Sequence, residues 1–299
     1  MMPPFLQRRS VLSSLLVSCM IRPAMADTSL SVVAAEAVWG DIASQIGGTS
    51  TQVTSLLNNP GTDPHLFEPA PSTARQIVKA VVIISNGGGY DPWMSRLIPD
   101  GASHTILDVA ELVSLPTGDN PHIWFCPKTV RRVAQRLADI FSELIPSEAP
   151  RFRQRLQDFS AIIDALNHRI ETLHEKFSGL PIAATEPLCT PLTDLLGLAM
   201  MGTAFQKSIM NDTEPTPSSV AEMELAIHKG QIRLLIGNAQ TTTPATRKLE
   251  EAAQAAGIPV LMLHETLPAN MHWQDWMNHI LDRLSDALSS SPHITSPAH

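Results

Sequence analysis

Four side chains in this sequence have the types and settings that a bound metal ion requires. His65 lies in Asp63-Pro64-His65-Leu66-Phe67-Glu68-Pro69, between two prolines. Proline fixes φ and biases the residue before it away from helix, so the segment reads as a stiff loop. Such a loop presents an imidazole at little ordering cost. Asn120-Pro121-His122-Ile123-Trp124 repeats the Pro-His pairing ahead of an apolar pair. Thr185-Glu186-Pro187 offers a carboxylate braced by proline, and Glu265 follows the apolar run Ile258 to Leu263, with His264 beside it. A single loop histidine is more often solvated than ligating. Two imidazoles and two carboxylates brought together suit a borderline divalent cation such as Zn2+ or Mn2+.

These residues must be positioned by the elements between them. Leu30 to Val38 reads as a buried strand leading into a helix to Ile46, closed by Gly47-Gly48. Gln52 to Leu57 is a second strand. Ser72 is expected to cap a helix over Thr73 to Lys79. Val81-Val82-Ile83-Ile84 has the continuous apolar character of a strand covered on both faces, followed by a tight turn at Asn86-Gly87-Gly88-Gly89-Tyr90-Asp91. Pro127 opens a helix to Leu144. Phe152, Leu156, Phe159, Ile163, Leu166, Ile170, Leu173 and Phe177 then alternate at spacings of four and three. That stripe predicts one helix from about Glu148 to Phe177, roughly 45 Å long at 1.5 Å per residue, acting as an internal strut.

A second alternating half follows. Pro181 to Ala184 and Ile232 to Ile236 read as strands, as does the run Ile258 to Leu263; Pro191 to Leu198, Val220 to His228, Pro244 to Ala256 and Trp273 to Ser290 read as helices. Alternating strands and helices mean parallel sheets with crossover helices. The expected fold is α/β: two lobes, each a mainly parallel β-sheet flanked by helices, joined by one long backbone helix. The boundaries read as an N-terminal lobe over 27–147, a linking helix over 148–178, a C-terminal lobe over 179–290 and a disordered tail over 291–299. The halves share an architecture but no clear repeat at a fixed period. In such sheets ligands bind beyond the carboxyl ends of strands, so a cleft between the lobes could gather His65, His122, Glu186 and Glu265.

The first 26 residues read as a signal peptide. Arg8-Arg9 form a basic region, Val11 to Ile21 an apolar one, and Ala24-Met25-Ala26 a cleavage site before Asp27. The expected location is periplasmic. Arg8-Arg9-Ser10 also has twin-arginine character, and Leu16-Val17-Ser18-Cys19 resembles a lipobox, which would anchor the chain through Cys19. Removing this segment leaves 18 basic against 29 acidic side chains, a balance near −11. An acidic exported chain is a poor partner for nucleic acid or anionic membrane and a good one for cations. Cys126 and Cys189 make no disulfide framework, although one bridge is permitted in an oxidising compartment.

The Asp63–Pro69 and Asn120–Trp124 motifs, with the stretch from Thr185 through Asn211-Asp212-Thr213-Glu214-Pro215, resemble the solute-binding proteins of zinc and manganese ABC importers. The likeness runs from Asp27 to about Ala287. It implies a monomeric extracytoplasmic protein that carries Zn2+ or Mn2+ as transported ligand to a membrane permease with its cytoplasmic ATPase. It further implies His65 and His122 as N-lobe ligands, Glu186 as the third where zinc-preferring members often carry His, and Glu265 where Asp is common. His264 competes with Glu265 for that place. The His- and acid-rich loop of many zinc members is absent; only Leu115-Pro116-Thr117-Gly118-Asp119 stands there. Carboxylates at two positions make the ligand set harder, which favours Mn2+ relative to an all-histidine site.

The alternatives are a metal-holding surface adhesin and an exported zinc hydrolase. The hydrolase is the poorer fit. His264-Glu265-Thr266-Leu267-Pro268 lacks the second histidine of a His-Glu-x-x-His site, and there is no serine nucleophile elbow. The expectation is a binding protein, not an enzyme.

Overall fold

The computed structural model describes Met1, residues 29–61, 64, 67–99, 101 and 103–290. The signal segment with Cys19, His65 and the 291–299 tail lie outside the described residues.

The first half contains β1 (Leu30–Glu36), α1 (Ala37–Gly47), β2 (Thr51–Leu57), α2 (Pro71–Lys79), β3 (Val82–Ser85), α3 (Pro92–Leu97), β4 (Thr105–Asp108), α4 (Val109–Val113) and α5 (Pro127–Leu144). The second, after α6 (Ala149–Phe177), contains β5 (Pro181–Ala184), α7 (Thr190–Leu195), β6 (Ala199–Met201), α8 (Thr203–Met210), α9 (Pro217–His228), β7 (Leu235–Asn238), α10 (Pro244–Ala255), β8 (Val260–Leu263) and α11 (Trp273–Ser290). The strands form two four-stranded parallel sheets, ordered β2-β1-β3-β4 and β6-β5-β7-β8. Each lobe therefore places its second strand on one side of its first, and its third and fourth on the other. The strand order reverses between β1 and β3, and again between β5 and β7. A crevice opens at such a switch point, beyond the carboxyl ends of the strands.

Several local expectations change. Helix α2 begins at Pro71, with Ala70 as N-cap, so Ser72 lies inside the first turn. Proline at N1 has its φ preset and loses no needed donor, and that outweighs the serine cap. Helix α9 begins at Pro217 for the same reason, with the Thr216 side chain accepting from Ser219 N. The main run of the third C-lobe strand lies two to three residues later than Ile232–Ile236, although Arg233 N already bonds to Pro181 O at 2.8 Å. Strands β4 and β6, with four and three residues, are too short for a period to register.

Helix α6 runs 29 residues, about 44 Å at 1.5 Å per residue. Phe152, Phe159, Ile163, Leu166, Ile170 and Phe177 are buried, and Leu156 and Leu173 are half-buried. Each buried side chain of this kind contributes about 1.5–3 kcal/mol relative to exposure. The stripe joins one continuous apolar core that includes Trp124 and Phe141 from the first half and Leu192 and Trp276 from the second.

The start of α11 docks on α1. Trp273 Nε1 donates to Trp124 O at 3.0 Å, Trp273 N donates to Asp41 Oδ2 at 2.8 Å, and His272 Nδ1 meets Asp41 Oδ1 at 2.7 Å. The Asp41 hydrogen bond holds the His272 pKa above its ordinary value. A histidine raised in the folded state adds stability below its unfolded pKa and loses it as pH rises through the folded value. The imidazole is 60% exposed, so solvent screens most of this gain. Thermal melts of wild type and Asp41→Asn should therefore diverge modestly at about pH 6, and the part owed to His272 should vanish by about pH 9. A difference that grows with pH would contradict this clamp.

Candidate metal site

The candidate site forms where the ends of strands β5 and β8 meet a loop of the first half. Glu186 follows β5 by two residues, Glu265 follows β8 by two, and His122 sits in the loop between α4 and α5. All three are buried, with exposures of 0% for His122, 3% for Glu186 and 2% for Glu265. One ligand atom from each lies within 4.8 Å of the others. His122 Nε2 stands 3.4 Å from Glu265 Oε2 and makes no hydrogen bond among the described residues. A buried nitrogen left this way is costly in an apo protein and is the expected state of a metal-directed lone pair.

The tautomer follows from the neighbours. Asn120 Oδ1 accepts from His122 N at 3.0 Å and lies 2.6 Å from Nδ1. Asn120 Nδ2 donates to Pro187 O, which fixes the amide orientation. An amide oxygen only accepts, so Nδ1 carries the proton and Nε2 keeps its lone pair. Asn120 thereby also ties the His122 loop to the Glu186 loop. Outer partners of this kind are worth about 10–100-fold in metal affinity, and Asn120→Ala should lose that much in a competition titration, with a drop in melting of the metal-free protein from its lost hydrogen bonds that leaves it folded at the titration temperature. Unchanged affinity would mean that the imidazole is oriented by packing alone.

The carboxylates are held as firmly. Asn238, the last residue of β7, donates through Nδ2 to Glu186 Oε2 at 2.8 Å and to Glu265 Oε1. Gln240 Oε1 accepts from Glu265 N at 2.6 Å. Tyr90, the chain's single tyrosine, donates its hydroxyl to Glu265 Oε2 at 2.9 Å. Burial, then the Glu265 charge, pushes the Tyr90 pKa well above its ordinary value, so it remains a neutral donor. Its position depends on the turn before it: Gly87, Gly88 and Gly89 all have positive φ, and a Cβ on Gly87 would fall 2.2 Å from an Asp108 oxygen.

Three of the four expected ligands thus come together, and His65 lies outside the described residues. Its neighbour Pro64 is buried and lines an enclosed cavity with Tyr90 and Glu265. His264 is exposed while Glu265 is buried. Cys126 is half-buried, Cys189 is buried, and both are free thiols outside the His122–Glu186–Glu265 group. Burial pushes the Cys189 thiol up to about 12, which makes it unreactive. Asn238 and Tyr90 were not singled out by the sequence; an asparagine ending an apolar strand was the available signal.

The architecture is that of the two-lobed, helix-linked binding proteins. It is similar to the crystal structure of ZnuA, with a TM-score of 0.73 at 19% identity, covering 87% of this chain and 99% of that one. It is equally similar to the periplasmic zinc binding protein TroA from Treponema pallidum, with a TM-score of 0.74 at 18% identity and the same coverage. At these identities the likeness concerns the fold. The family described as zinc-uptake complex component A, periplasmic, matches residues 32–287, and the chain belongs to that family. Among curated relatives, the manganese-binding lipoprotein MntA of Halalkalibacterium halodurans is 26% identical over 157 residues, and the match spans about half of each protein, 51%. The metal ABC transporter substrate-binding lipoprotein SloC of Streptococcus mutans is 23% identical over 255 residues, 79% of this chain and 80% of the relative.

Proposed function

We propose that this chain is the extracytoplasmic substrate-binding component of an ABC importer. It captures a divalent transition metal, Zn2+ or Mn2+, between its lobes and delivers it to a membrane permease driven by a cytoplasmic ATPase. The ligands are His65, His122, Glu186 and Glu265. The observation that carries this reading is the buried convergence of His122, Glu186 and Glu265 within 4.8 Å, with the His122 Nε2 lone pair free to point at a cation. Family membership supports it, as do the relatives named for manganese and metal binding. Pro64, which lines a cavity with Glu265, supports its sequence neighbour His65 as the fourth ligand.

The metal is cargo, and the protein turns nothing over. It acts as a monomer in the periplasm, exported by the 1–26 segment; no helix among the described residues is long and apolar enough to cross a membrane. The working units are the 27–147 and 179–290 lobes on the 148–178 helix. The continuous core along α6 resists a wide hinge, so release proceeds by a small tilt and loosening of the Glu186 and Glu265 loops. Metal-stripped protein offered equimolar Zn2+ and Mn2+ should retain one tightly bound ion per chain in native mass spectrometry. A protein that retains neither would overturn the proposal.

A further inference from the structure

The two sheets carry an equivalence that extends to the site. In the C-terminal lobe β5 pairs with β7 at Ala184↔Ile236, and continuing two residues sets Glu186 opposite Asn238, which its side chain contacts. In the N-terminal lobe β1 pairs with β3 at Ala34↔Ile84, and the same step sets Glu36 opposite Asn86. Glu36 is thus the N-lobe counterpart of Glu186, at the carboxyl end of the first strand and beside the switch point.

The counterpart pair is broken in one respect. The Asn86 side chain is turned elsewhere: Oδ1 accepts from Trp39 Nε1 at 3.1 Å, and Nδ2 donates to Pro121 O at 3.0 Å. Glu36 is only 5% exposed, and its carboxyl oxygens make no well-formed hydrogen bond among the described residues, with the Asp91 carboxyl and the Asn86 backbone as their near polar neighbours. It lines the enclosed cavity that Tyr90, Pro64 and Glu265 also line. A buried carboxyl without well-formed hydrogen bonds and next to a second carboxyl, Asp91, is a cost to the metal-free fold, and a cation in that cavity would offset it.

We propose that Glu36 supplies a further oxygen ligand to the bound cation and sets its preference. This rests on the metal-capture reading above. Zn2+ is content with four donors and tolerates nitrogen well, whereas Mn2+ favours six-coordinate, oxygen-rich sites. An added carboxylate oxygen therefore favours Mn2+ more than Zn2+.

The test is a competition titration of metal-stripped wild type, Glu36→Gln and Glu36→Leu with each metal, alongside melting of the metal-free proteins. Both variants should lose at least about tenfold more affinity for Mn2+ than for Zn2+. Metal-free Glu36→Leu should melt at or above wild type, because it removes a buried carboxyl without well-formed hydrogen bonds. Equal losses for the two metals, no loss at all, or a variant that melts lower with its metal preference unchanged would each overturn the assignment. Wild type that binds neither metal would instead bring down the metal-capture reading, and this inference with it.

Discussion

His122→Ala should abolish tight binding of every divalent metal. Its Nε2 is the one described nitrogen donor in the group, contributed by the first half of the chain, while Glu186 and Glu265 come from the second. Losing it removes the one member of the His122–Glu186–Glu265 group that the first half contributes. The loss should exceed the roughly 10–100-fold that an outer partner such as Asn120 carries. Metal-free His122→Ala should melt below wild type, because the buried imidazole packs on Tyr90 and Trp124 and bonds to Asn120 through Nδ1, so the loss of binding is read at a temperature where the variant is folded. Isothermal titration with Zn2+ and Mn2+ gives the answer; wild-type affinity for either would sink the site. In the wild type, affinity should also fall as the solution is acidified, because the ligands must shed protons to bind.

Leu166→Asp should destabilise the whole protein, not one lobe. Leu166 is 2% exposed and belongs to the core shared by both halves. Truncation to Ala at such a place costs about 2–5 kcal/mol. An aspartate adds an unpaired buried charge, so the total should approach or exceed about 5 kcal/mol, a large part of a typical folding free energy. At about 2–4 °C per kcal/mol for a chain of this size class, Leu166→Ala should lower Tm by roughly 4–20 °C in one transition. Leu166→Asp should lower it further or prevent folding. Two separated transitions, with one lobe melting as in wild type, would show that the strut does not couple them.

Much of this was legible because it depends on local rules. The stripe on α6 follows from the 3.6-residue period, and six of its eight members are fully buried. Strand β5 and helices α5 and α11 follow from apolar runs bounded by proline or polar residues. The three gathered candidate ligands were legible as types: a Pro-His loop and two acids just past apolar strands. What was not legible depends on partners distant in sequence. Asn238 links Glu186 and Glu265 across separations of 52 and 27 residues, and Tyr90 reaches Glu265 across 175. No spacing along the chain encodes such contacts.

The rivalry between His264 and Glu265 shows where the division falls. Residue types and a strand ending at Leu263 determine that one of the pair points at the crevice. Neighbours on an extended chain face opposite sides, so both cannot. Which one faces inward depends on how β8 pairs with β7, at Asn238↔Leu263, and on which side α11 covers. The same holds for Glu36, which reads in sequence as the polar end of an apolar strand. Its equivalence to Glu186 exists only in the register of two sheets, because parallel pairing is decided by the packing of whole strands and not by the residues at their tips.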